Sequence, residues 1–294
     1  MSLPTISIAQ SHHNTAALSP QPCPGTIKAI LPPDRCAIAQ EMISNWEGYQ
    51  PTPLLHLQGL ASAVGVQSIF YKDESDRFGL RSFKALGGAY AVQQVLQQVL
   101  SQQPSSGSVS LTDINDGKFP NEVKNITVVT ATDGNHGRSV AWGAERFGCE
   151  CMIYMHAKVS QARQEAVEAF GATVIRVDGN YDDSVRQADL DAKENGWHIV
   201  SDTSYPGYME VPRDVMAGYT LMTTEAMDQL PESVIPSHVF IQGGCGGLAG
   251  AVCADLWFRY GKDMPHIVVV EPVPAACLYE SAKAGEERIV NITE

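Results

Sequence analysis

The chain has 294 residues, of which 44% are hydrophobic, and its formal net charge is -13 at pH 7. A chain of this length and composition can bury a full core and is long enough to form two lobes. The negative charge argues against nucleic acid or an anionic membrane as a partner. The sequence contains no apolar run of bilayer length, so no membrane-spanning segment is predicted.

The N-terminal 35 residues are rich in Ser, Pro and His and contain no apolar signal core. This composition predicts a disordered tail ahead of a cytoplasmic protein. The seven cysteines form no Cys-x-x-Cys pair, and their odd number favours a reducing compartment. Cys149 and Cys151 lie at the start of an apolar segment, so buried thiols are expected there and no metal site is predicted.

The first half of the chain gives a short series of predicted elements. Residues 37–46 predict a helix, residues 51–55 an extended segment and residues 69–71 the first firm strand. A helix is predicted at 82–103, where apolar residues recur at helical spacing. Residues 104–125 are polar and predict a surface insertion.

From residue 126 onward, predicted strands alternate with predicted helices. The strands are 126–129, 151–155, 173–177, 197–200, 238–242 and 267–271, and the helices are 136–147, 161–170, 182–195, 211–228 and 248–260. Such alternation predicts an α/β fold with parallel sheets flanked by helices on both faces.

The loop after the first strand carries a lysine at the start of a predicted helix. Ser82 can cap that helix, with Lys84 in its first turn. A cation there opposes the helix dipole, which favours the neutral amine that a Schiff-base lysine must supply. For an isolated Ser-Phe-Lys, an ordinary surface lysine would be the better interpretation. Two further loops favour the interpretation of Lys84 as a Schiff-base lysine.

The second loop, residues 130–137, lies between a predicted strand and a predicted helix, where ligands bind in open α/β sheets. Gly134 and Gly137 allow a close backbone approach, and the helix offers free N–H groups to a carboxylate. Asn135 can hydrogen-bond a polar cofactor oxygen. Asp133 adds a carboxylate, although taken alone it would be interpreted as a helix N-cap.

The third loop, residues 242–250, again follows a predicted strand and opens a helix. Its glycines leave backbone N–H groups unobstructed and predict an anion nest suited to phosphate. The spacing fits neither a P-loop nor a dinucleotide fingerprint, and Cys245 is interpreted as a small residue tolerated in the loop. Together the three loops provide the amine, the hydrogen bonds and the phosphate anchor that pyridoxal phosphate needs.

From about residue 46 to its last residue, the chain resembles the fold type II pyridoxal-phosphate enzymes, the group of threonine dehydratase and the tryptophan synthase β chain. Within that group, its sequence motifs are most similar to those of the diaminopropionate ammonia-lyases. The matching segments are Lys-Asp-Glu-Ser at 72–75, Arg-Phe-Gly-Leu at 77–80, Ser-Phe-Lys at 82–84, Gly-Gly-Ala-Tyr at 87–90, Ala-Thr-Asp-Gly-Asn-His-Gly-Arg at 131–138, Val-Ala-Trp at 140–142, Ser-Asp-Thr-Ser-Tyr at 201–205, Gly-Tyr at 207–208, Val-Glu-Pro at 270–272 and Ala-Ala-Cys-Leu at 275–278.

The resemblance implies a role for residues in each loop. Lys84 would hold pyridoxal 5'-phosphate as a Schiff base, and Asn135 would bind its ring oxygen. The phosphate would be bound by the glycine loop, namely Gly243, Gly244, Cys245, Gly246 and Gly247. Asp133 would act as acid/base beside the substrate, and Asp202 would face the substrate's second ammonium. The implied substrate-binding residues are Thr132, Asp133, Gly134, His136 and Asp202.

The implied reaction is the α,β-elimination of ammonia from 2,3-diaminopropionate, giving pyruvate and a second ammonia. Dehydratases of the group usually carry Ser-Gly-Asn or Ser-Ala-Gly-Asn in the second loop, whereas Thr132-Asp133 resembles the ammonia-lyases. A serine/threonine dehydratase-like eliminating enzyme and a non-catalytic homologue are the alternatives. The resemblance also implies a small amino-acid substrate and a homodimer.

The lobes are expected to be interleaved along the chain. The smaller lobe is predicted at residues 89–206, inserted in a larger cofactor-binding lobe made of residues 36–88 and 207–294. Family members continue beyond the position of Glu294, so the larger lobe is expected to be incomplete here. Residues 267–270 predict a central strand covered on both faces, and the chain is therefore expected to be oligomeric or prone to aggregation.

Overall fold

The structure is a computed structural model that describes residues 10–15, 21–104, 107–132, 134–232 and 234–290. Its α-helices are α1 (Gly25–Ile30), α2 (Pro33–Ser44), α3 (Gln58–Val64), α4 (Lys84–Ser101), α5 (Leu111–Asn115), α6 (Pro120–Val123), α7 (Asn135–Phe147), α8 (Gln161–Glu168), α9 (Tyr181–Asn195), α10 (Glu210–Asp228), α11 (Gly247–Tyr260) and α12 (Cys277–Ala284). Its strands are β1 (Leu54–His56), β2 (Phe70–Lys72), β3 (Thr127–Ala131), β4 (Glu150–His156), β5 (Thr173–Val177), β6 (His198–Ile199), β7 (His238–Gln242) and β8 (His266–Val270).

The chain divides into two compact units. The first comprises the described residues within 1–33, 52–73 and 222–294, and the second comprises those within 34–51 and 74–221. The second unit contains the whole of the predicted smaller lobe, residues 89–206, and extends beyond it on both sides.

The second unit is built on a four-stranded sheet with the strand order β5-β4-β3-β6. Every pairing in it is parallel, with Val128 opposite Cys151 and Val129 opposite Ile199. The centre of β3 is buried, as expected for a strand covered on both faces. Tyr154 packs with Val129 and with the alanines of α9 in one apolar cluster. The predicted α/β fold with a parallel sheet is confirmed.

Small residues bring α4 and α7 close together within this unit. A Cβ at Gly88 would overlap the side chain of Ser139, and one at Gly143 would lie 2.7 Å from the Cα of Ala89. Both positions therefore require glycine for the helices to approach this closely. This contact fixes the start of α4, where Lys84 lies.

The first unit contains two small sheets and a buried ion pair. β1 and β2 pair antiparallel, and β7 and β8 pair parallel. The Lys72 ammonium contacts Glu225 Oε2 at 2.6 Å and the Thr52 carbonyl at 2.5 Å. The side chains of Lys72 and Glu225 are only 11% and 4% exposed, so the pair is largely shielded from water.

The structure differs in part from the predictions for the flanking regions. The predicted disordered tail to residue 35 contains α1 and the start of α2, and Leu31 is buried, so the prediction is wrong for these helices; residues 1–9 and 16–20 lie outside the described residues. The predicted surface insertion at 104–125 contains α5 and α6, and it buries Val109, Ile114 and Val123. These apolar residues lie among many polar ones, so no helical period of apolar residues is visible in the sequence of these short helices.

The predicted central strand at 267–270 has apolar residues at the surface. Val269 and Val270 are 38% and 53% exposed, and Phe240 on the paired strand is 69% exposed.

Among the described residues, no helix is both long and apolar enough to cross a bilayer. Cys151 is buried, and burial raises the pKa of its thiol, as expected from its place in a strand.

Candidate active site

Lys84 is the first residue of α4, and two hydroxyl groups hold its backbone. The Ser82 hydroxyl accepts the Lys84 N–H at 3.2 Å, and the Ser139 hydroxyl donates to the Lys84 carbonyl at 2.7 Å. The N-cap position belongs to Phe83, which makes no side-chain cap bond. The predicted helix start at Ser82 is therefore two residues early, although the Ser82 hydroxyl does accept a hydrogen bond from an N–H of the first turn.

The loop before Lys84 is fixed by two arginines. The buried Arg77 guanidinium donates to both oxygens of Glu74, at 2.9 and 2.8 Å. Arg138 donates to the Leu80 carbonyl at 3.0 Å. Phe78 and Arg81 have positive φ angles of 50° and 55°, a conformation that costs free energy for residues with a side chain. Strained backbone of this kind is common where a loop must present functional groups.

The Lys84 ammonium forms an ion pair with Asp202 Oδ2. Burial alone would lower the pKa of Lys84, but the charges and hydrogen-bonding groups of Tyr219 and Asp202 outweigh burial and raise it. The expectation that the helix N-terminus keeps this amine neutral is wrong. A helix dipole is worth about 0.3–1 kcal/mol, which is less than a direct contact with a carboxylate in a partly buried site.

Asp202 follows the end of β6, and the chain around it is held from both sides. The Val200 N–H donates to the Val129 carbonyl at 2.8 Å. The Tyr208 hydroxyl accepts the Ser201 N–H and donates to the Ile199 carbonyl, both at 2.9 Å. Tyr208 therefore fixes the backbone immediately before Asp202.

The Asp202 carboxyl is kept ionised. Burial raises its pKa, but the charges of His136 and Lys84 outweigh burial and lower it to about 2. Burial also lowers the pKa of His136, which disfavours the charged imidazolium. The charge of His136 therefore acts on Asp202 only at a pH low enough to protonate the ring, and near neutral pH Lys84, whose pKa is raised, is the cation that holds Asp202 as a carboxylate.

His136 lies in the first turn of α7 with its ring between two groups of the β6 segment. Its Nε2 is 2.9 Å from the Val200 carbonyl oxygen, and its Nδ1 is 3.7 Å from Asp202 Oδ2. The structure thus brings together three predicted site residues from distant parts of the chain, namely Lys84, His136 and Asp202.

Thr132 shapes the second loop from within. Its buried hydroxyl accepts the N–H groups of Gly134 and Gly137 at 3.1 and 3.2 Å. A Cβ at Gly137 would overlap the Thr132 side chain. Asn135 opens α7 and is exposed, whereas Asp133 lies outside the described residues. Thr132 thus has a clear role in the loop, and its contact with substrate stays a prediction.

The glycine loop in the first unit has the geometry of an anion site. Gly246 has a φ of 94° and precedes α11, a helix of 14 residues with no side-chain cap bond. The Gly243 N–H donates to the Val270 carbonyl at 2.7 Å, which ties the loop to β8. Gly244 and Cys245 are exposed. The start of α11 thus has no side-chain cap and follows an exposed loop, and its binding of phosphate stays a prediction.

Three contributors to the second unit's site were missed by sequence reasoning, namely Ser139, Tyr208 and Tyr219. Ser139 and Tyr219 lie inside helices, where their sequence gives no signal of function. Tyr208 is the last residue of the segment Tyr-Pro-Gly-Tyr at 205–208, in which Gly207 has a φ of 89°. Pro-Gly predicts a turn, which would have shown that the chain doubles back toward the Asp202 segment.

Two buried polar atoms beside Lys84 and Asp202 form no well-aligned hydrogen bond. Within the described part of the chain, His136 Nδ1 has no hydrogen-bond partner, and the Tyr219 hydroxyl is close enough to Lys84 to raise its pKa but forms no hydrogen bond of good geometry. Tyr219 is nonetheless near Lys84, whose Nζ is 5.8 Å from its ring centroid. Buried polar groups are nearly always satisfied, so these atoms fit a site that receives a polar ligand.

The second unit therefore offers an amine for pyridoxal phosphate, at a helix start beside buried polar groups. The first unit, taken by itself, offers an exposed glycine loop before a helix, of the kind that can hold a phosphate. Residues 46–294 match the family described as pyridoxal-phosphate dependent enzyme. The chain belongs to this family. Family members depend on the cofactor that the three loops predicted.

Individual relatives indicate where in the family the chain lies. It is 38% identical over 270 residues to the diaminopropionate ammonia-lyase of Escherichia coli strain K12, covering 91% of this chain and 66% of the relative. The biosynthetic L-threonine dehydratase of the same organism is 28% identical over 242 residues, covering 82% of this chain and 39% of that one. The chain thus spans just under two thirds of the ammonia-lyase.

A solved structure gives the same result for the fold. The Escherichia coli diaminopropionate ammonia-lyase in complex with D-serine superposes with a TM-score of 0.82 at 37% sequence identity. The match covers 93% of this chain and 67% of that one. The fold is therefore that of the pyridoxal-phosphate enzymes of fold type II.

Proposed function

We propose that the chain is a pyridoxal-phosphate-dependent carbon–nitrogen lyase that eliminates ammonia from 2,3-diaminopropionate. The reaction breaks the Cα–H and Cβ–N bonds, and hydrolysis of the product gives pyruvate and a second ammonia. The greater identity to the ammonia-lyase than to the threonine dehydratase supports this substrate. So does the pair Asp202 and His136, which offers a carboxylate and a neutral acceptor to a cationic leaving group.

The observation that carries the proposal is the ion pair between Lys84 and Asp202. When bound, the cofactor supplies an electron-withdrawing ring that makes the substrate's α-proton acidic. Lys84 would hold the cofactor covalently and, once released from it, take up that proton. Asp202 stabilises a cation beside Lys84, and an amine leaves readily only as an ammonium.

The other predicted site residues complete the proposal. Asn135 would bind the cofactor ring oxygen, and the glycine loop of residues 243–247 its phosphate. Asp133 would serve as a second acid/base group, and Thr132 and Gly134 would line the substrate site.

A substitution tests the role of Asp133. For Asp133→Asn, we expect turnover of at least one diaminopropionate enantiomer to fall about a hundredfold, the scale of general acid/base catalysis.

The stoichiometry of the products tests the substrate. Purified chain loaded with pyridoxal phosphate is given D- or L-2,3-diaminopropionate, and pyruvate and ammonia are measured by coupled enzymes. We expect two ammonia per pyruvate from diaminopropionate and one from serine, with diaminopropionate turned over faster. Lys84→Ala is the matched control. A chain that holds the cofactor but forms no pyruvate from either enantiomer would contradict the proposal.

We further propose a cytoplasmic homodimer. Seven free cysteines suit a reducing compartment, and the exposed Phe240 and Val270 offer apolar surface for a subunit contact. Sedimentation velocity of the loaded chain should give the mass of two copies, and a monomer at micromolar concentration would overturn the dimer.

A further inference from the structure

Two exposed histidines lie opposite each other on the small parallel sheet of the first unit. In the register of β7 with β8, His238 is the partner of His266. Directly opposite residues of neighbouring strands lie on the same face of a sheet. Both residues are exposed, and their ring centroids are 5.2 Å apart. The pairing of the strands, and not a spacing visible in the sequence, brings these two rings together.

The separation of the rings is that of two histidines bound to one metal ion. A zinc–nitrogen bond of about 2.0–2.1 Å places the centroid of an imidazole about 3.2 Å from the metal. Two such rings at the tetrahedral angle have centroids about 5.2 Å apart, which matches the 5.2 Å between His238 and His266. The strands therefore already hold the rings at the separation that a shared metal ion requires.

Each ring has a nitrogen available as a ligand. His238 Nδ1 lies 3.0 Å from the Ser237 hydroxyl oxygen. Metal-binding histidines usually donate their second N–H to such an oxygen, so Nε2 of His238 is left as the ligand. The His266 ring makes no hydrogen bond to any described residue. Its backbone N–H donates to the Ser237 carbonyl at 2.9 Å, which fixes the chain that carries the ring.

We propose that His238 and His266 bind one divalent transition-metal ion of the zinc class, at a site separate from the cofactor site. Neutral imidazole is a favoured ligand of Zn²⁺, Ni²⁺ and Cu²⁺. Within the described ranges, no group of three or more His, Cys, Asp or Glu residues could hold a metal, so water completes the coordination of this ion. We therefore expect a Kd on the order of 10 µM, weaker than that of a site with four protein ligands.

The site lies at the end of the sheet that is farther from the glycine loop. His238 and His266 begin β7 and β8, whereas the Gly243 N–H donates to the Val270 carbonyl at the other end. Each strand has 5 residues, which span about 13 Å. A bound metal would link the two strands and stabilise the first unit without occupying the glycine loop.

Binding of Zn²⁺ to the full chain tests the proposal. Isothermal titration, in a buffer free of chelators and thiols, compares the natural chain with His238→Gln and His266→Gln. Either substitution should weaken binding about tenfold or more, because only one imidazole remains. The double variant should lose little beyond either single variant, since both histidines bind the same ion.

His56→Gln is the matched control. His56 is an exposed strand histidine of the same unit, and its ring stacks on Phe70 with centroids 4.8 Å apart. Its replacement should leave zinc binding unchanged. Equal losses in His56→Gln and in His238→Gln, or a loss in only one of the two variants of the pair, would overturn the proposal. So would binding that survives in the double variant, which would assign the metal to other groups such as the exposed Cys245 thiol.

Stability provides a second measurement. A ligand that binds only the folded chain stabilises it, so Zn²⁺ at about 1 mM, roughly a hundred times the expected Kd, should raise the urea midpoint of the natural chain and of His56→Gln. The midpoints of His238→Gln and His266→Gln should stay at their metal-free values, which also show whether the substitutions themselves change stability. A natural chain whose midpoint does not rise with Zn²⁺ would overturn the proposal.

Discussion

Lys84 and Asp202 are 118 residues apart in the sequence and form an ion pair in the second unit. Their side chains are 26% and 22% exposed, so water screens the pair only in part. The contact has two opposite effects on the proposed chemistry. It holds Asp202 as a carboxylate, and it holds Lys84 as an ammonium, although only the neutral amine can capture an aldehyde.

The first prediction is that Asp202→Asn captures the cofactor faster but turns substrate over more slowly. Without the carboxylate the pKa of Lys84 falls, and each unit of decrease raises the neutral fraction about tenfold. At pH 8 we expect borohydride-trapped pyridoxal phosphate on Lys84 to form about tenfold faster or more. Turnover of diaminopropionate should fall about a hundredfold, as is typical of a lost charge-stabilising group.

Asp189→Asn is the matched control for this experiment, because Asp189 forms a surface ion pair with Lys193 elsewhere in the same unit. Its capture rate should equal that of the natural chain. If Asp202→Asn captures the cofactor no faster, Asp202 is not what keeps Lys84 charged.

The second prediction concerns how this ion pair stabilises the fold at different pH values. The pKa of Asp202 is lowered to about 2, so its contribution is complete above the ordinary aspartate pKa of about 3.9 and is lost as the pH falls through 2. The raised pKa of Lys84 makes its contribution complete below the ordinary lysine pKa of about 10.4, and it is lost at higher pH.

Asp202→Asn should therefore lower the free energy of unfolding by about 2 kcal/mol at pH 7, less than for a fully buried pair because water reaches both groups. The difference from the natural chain should be constant between about pH 5 and pH 9 and shrink toward pH 2. Urea unfolding at pH 7 and pH 3 measures it. A difference that grows on acidification would mean that the fold raises the pKa of Asp202.

The third prediction is that Lys84, and not Lys72, carries the cofactor. Both lysines contact a carboxylate, but Lys72 also donates to the Thr52 carbonyl and lies against a nearly buried Glu225. Borohydride reduction and peptide mass mapping should place the pyridoxyl mass on Lys84. Lys84→Ala should abolish the label, whereas Lys72→Arg should retain it. A label on Lys72 in the natural chain would contradict the assignment.

The regular parts of the fold could be predicted because pattern and packing agree there. β5 and β7 lie at the predicted residues, since each is a short apolar run that ends at a polar or glycine-containing turn. The glycine loop before α11 could also be found from local sequence, because a phosphate site can be built from backbone N–H groups without a particular side chain; its binding of phosphate stays a prediction.

The electrostatics of the site could not be predicted in this way. The pKa of Lys84 depends on Asp202 and Tyr219, which approach it only in the folded chain. The helix dipole was the one influence visible from local sequence, and it gave the wrong sign. Asp202 itself was found through the family resemblance, because nothing in Ser-Asp-Thr-Ser distinguishes it from a turn residue.

The fourth prediction is that Tyr208 positions Asp202. Tyr208→Phe keeps the ring but loses both hydrogen bonds to the β6 segment, which should cost about 1–2 kcal/mol of stability. If Asp202 moves away from Lys84 as a result, cofactor capture should become faster, as in Asp202→Asn but to a smaller extent. A purely structural role would leave the capture rate unchanged.

Tyr205→Phe is the control for Tyr208→Phe. The two rings stack with centroids 5.0 Å apart, and Tyr205 is 45% exposed. Its hydroxyl has no hydrogen bond to any described residue, so both stability and capture rate should match the natural chain. Similar effects from the two variants would assign the result to the stacked rings and not to the hydroxyl of Tyr208.

The last prediction is that Gly88→Ala damages the site from outside it. A Cβ at residue 88 would overlap Ser139, whose hydroxyl holds the Lys84 carbonyl. Overpacking should cost about 1–3 kcal/mol and should also lower cofactor occupancy. Gly59→Ala is the contrasting control: a Cβ there meets no atom within 4 Å, so this substitution should stabilise the chain by about 0.4–1 kcal/mol.

A double variant tests whether Gly88 and Ser139 act through one contact. Ser139→Ala should relieve part of the overlap made by Gly88→Ala, so in urea unfolding the double variant should lose less stability than the sum of the two single variants. Additive losses would mean that Gly88 and Ser139 do not act through one contact.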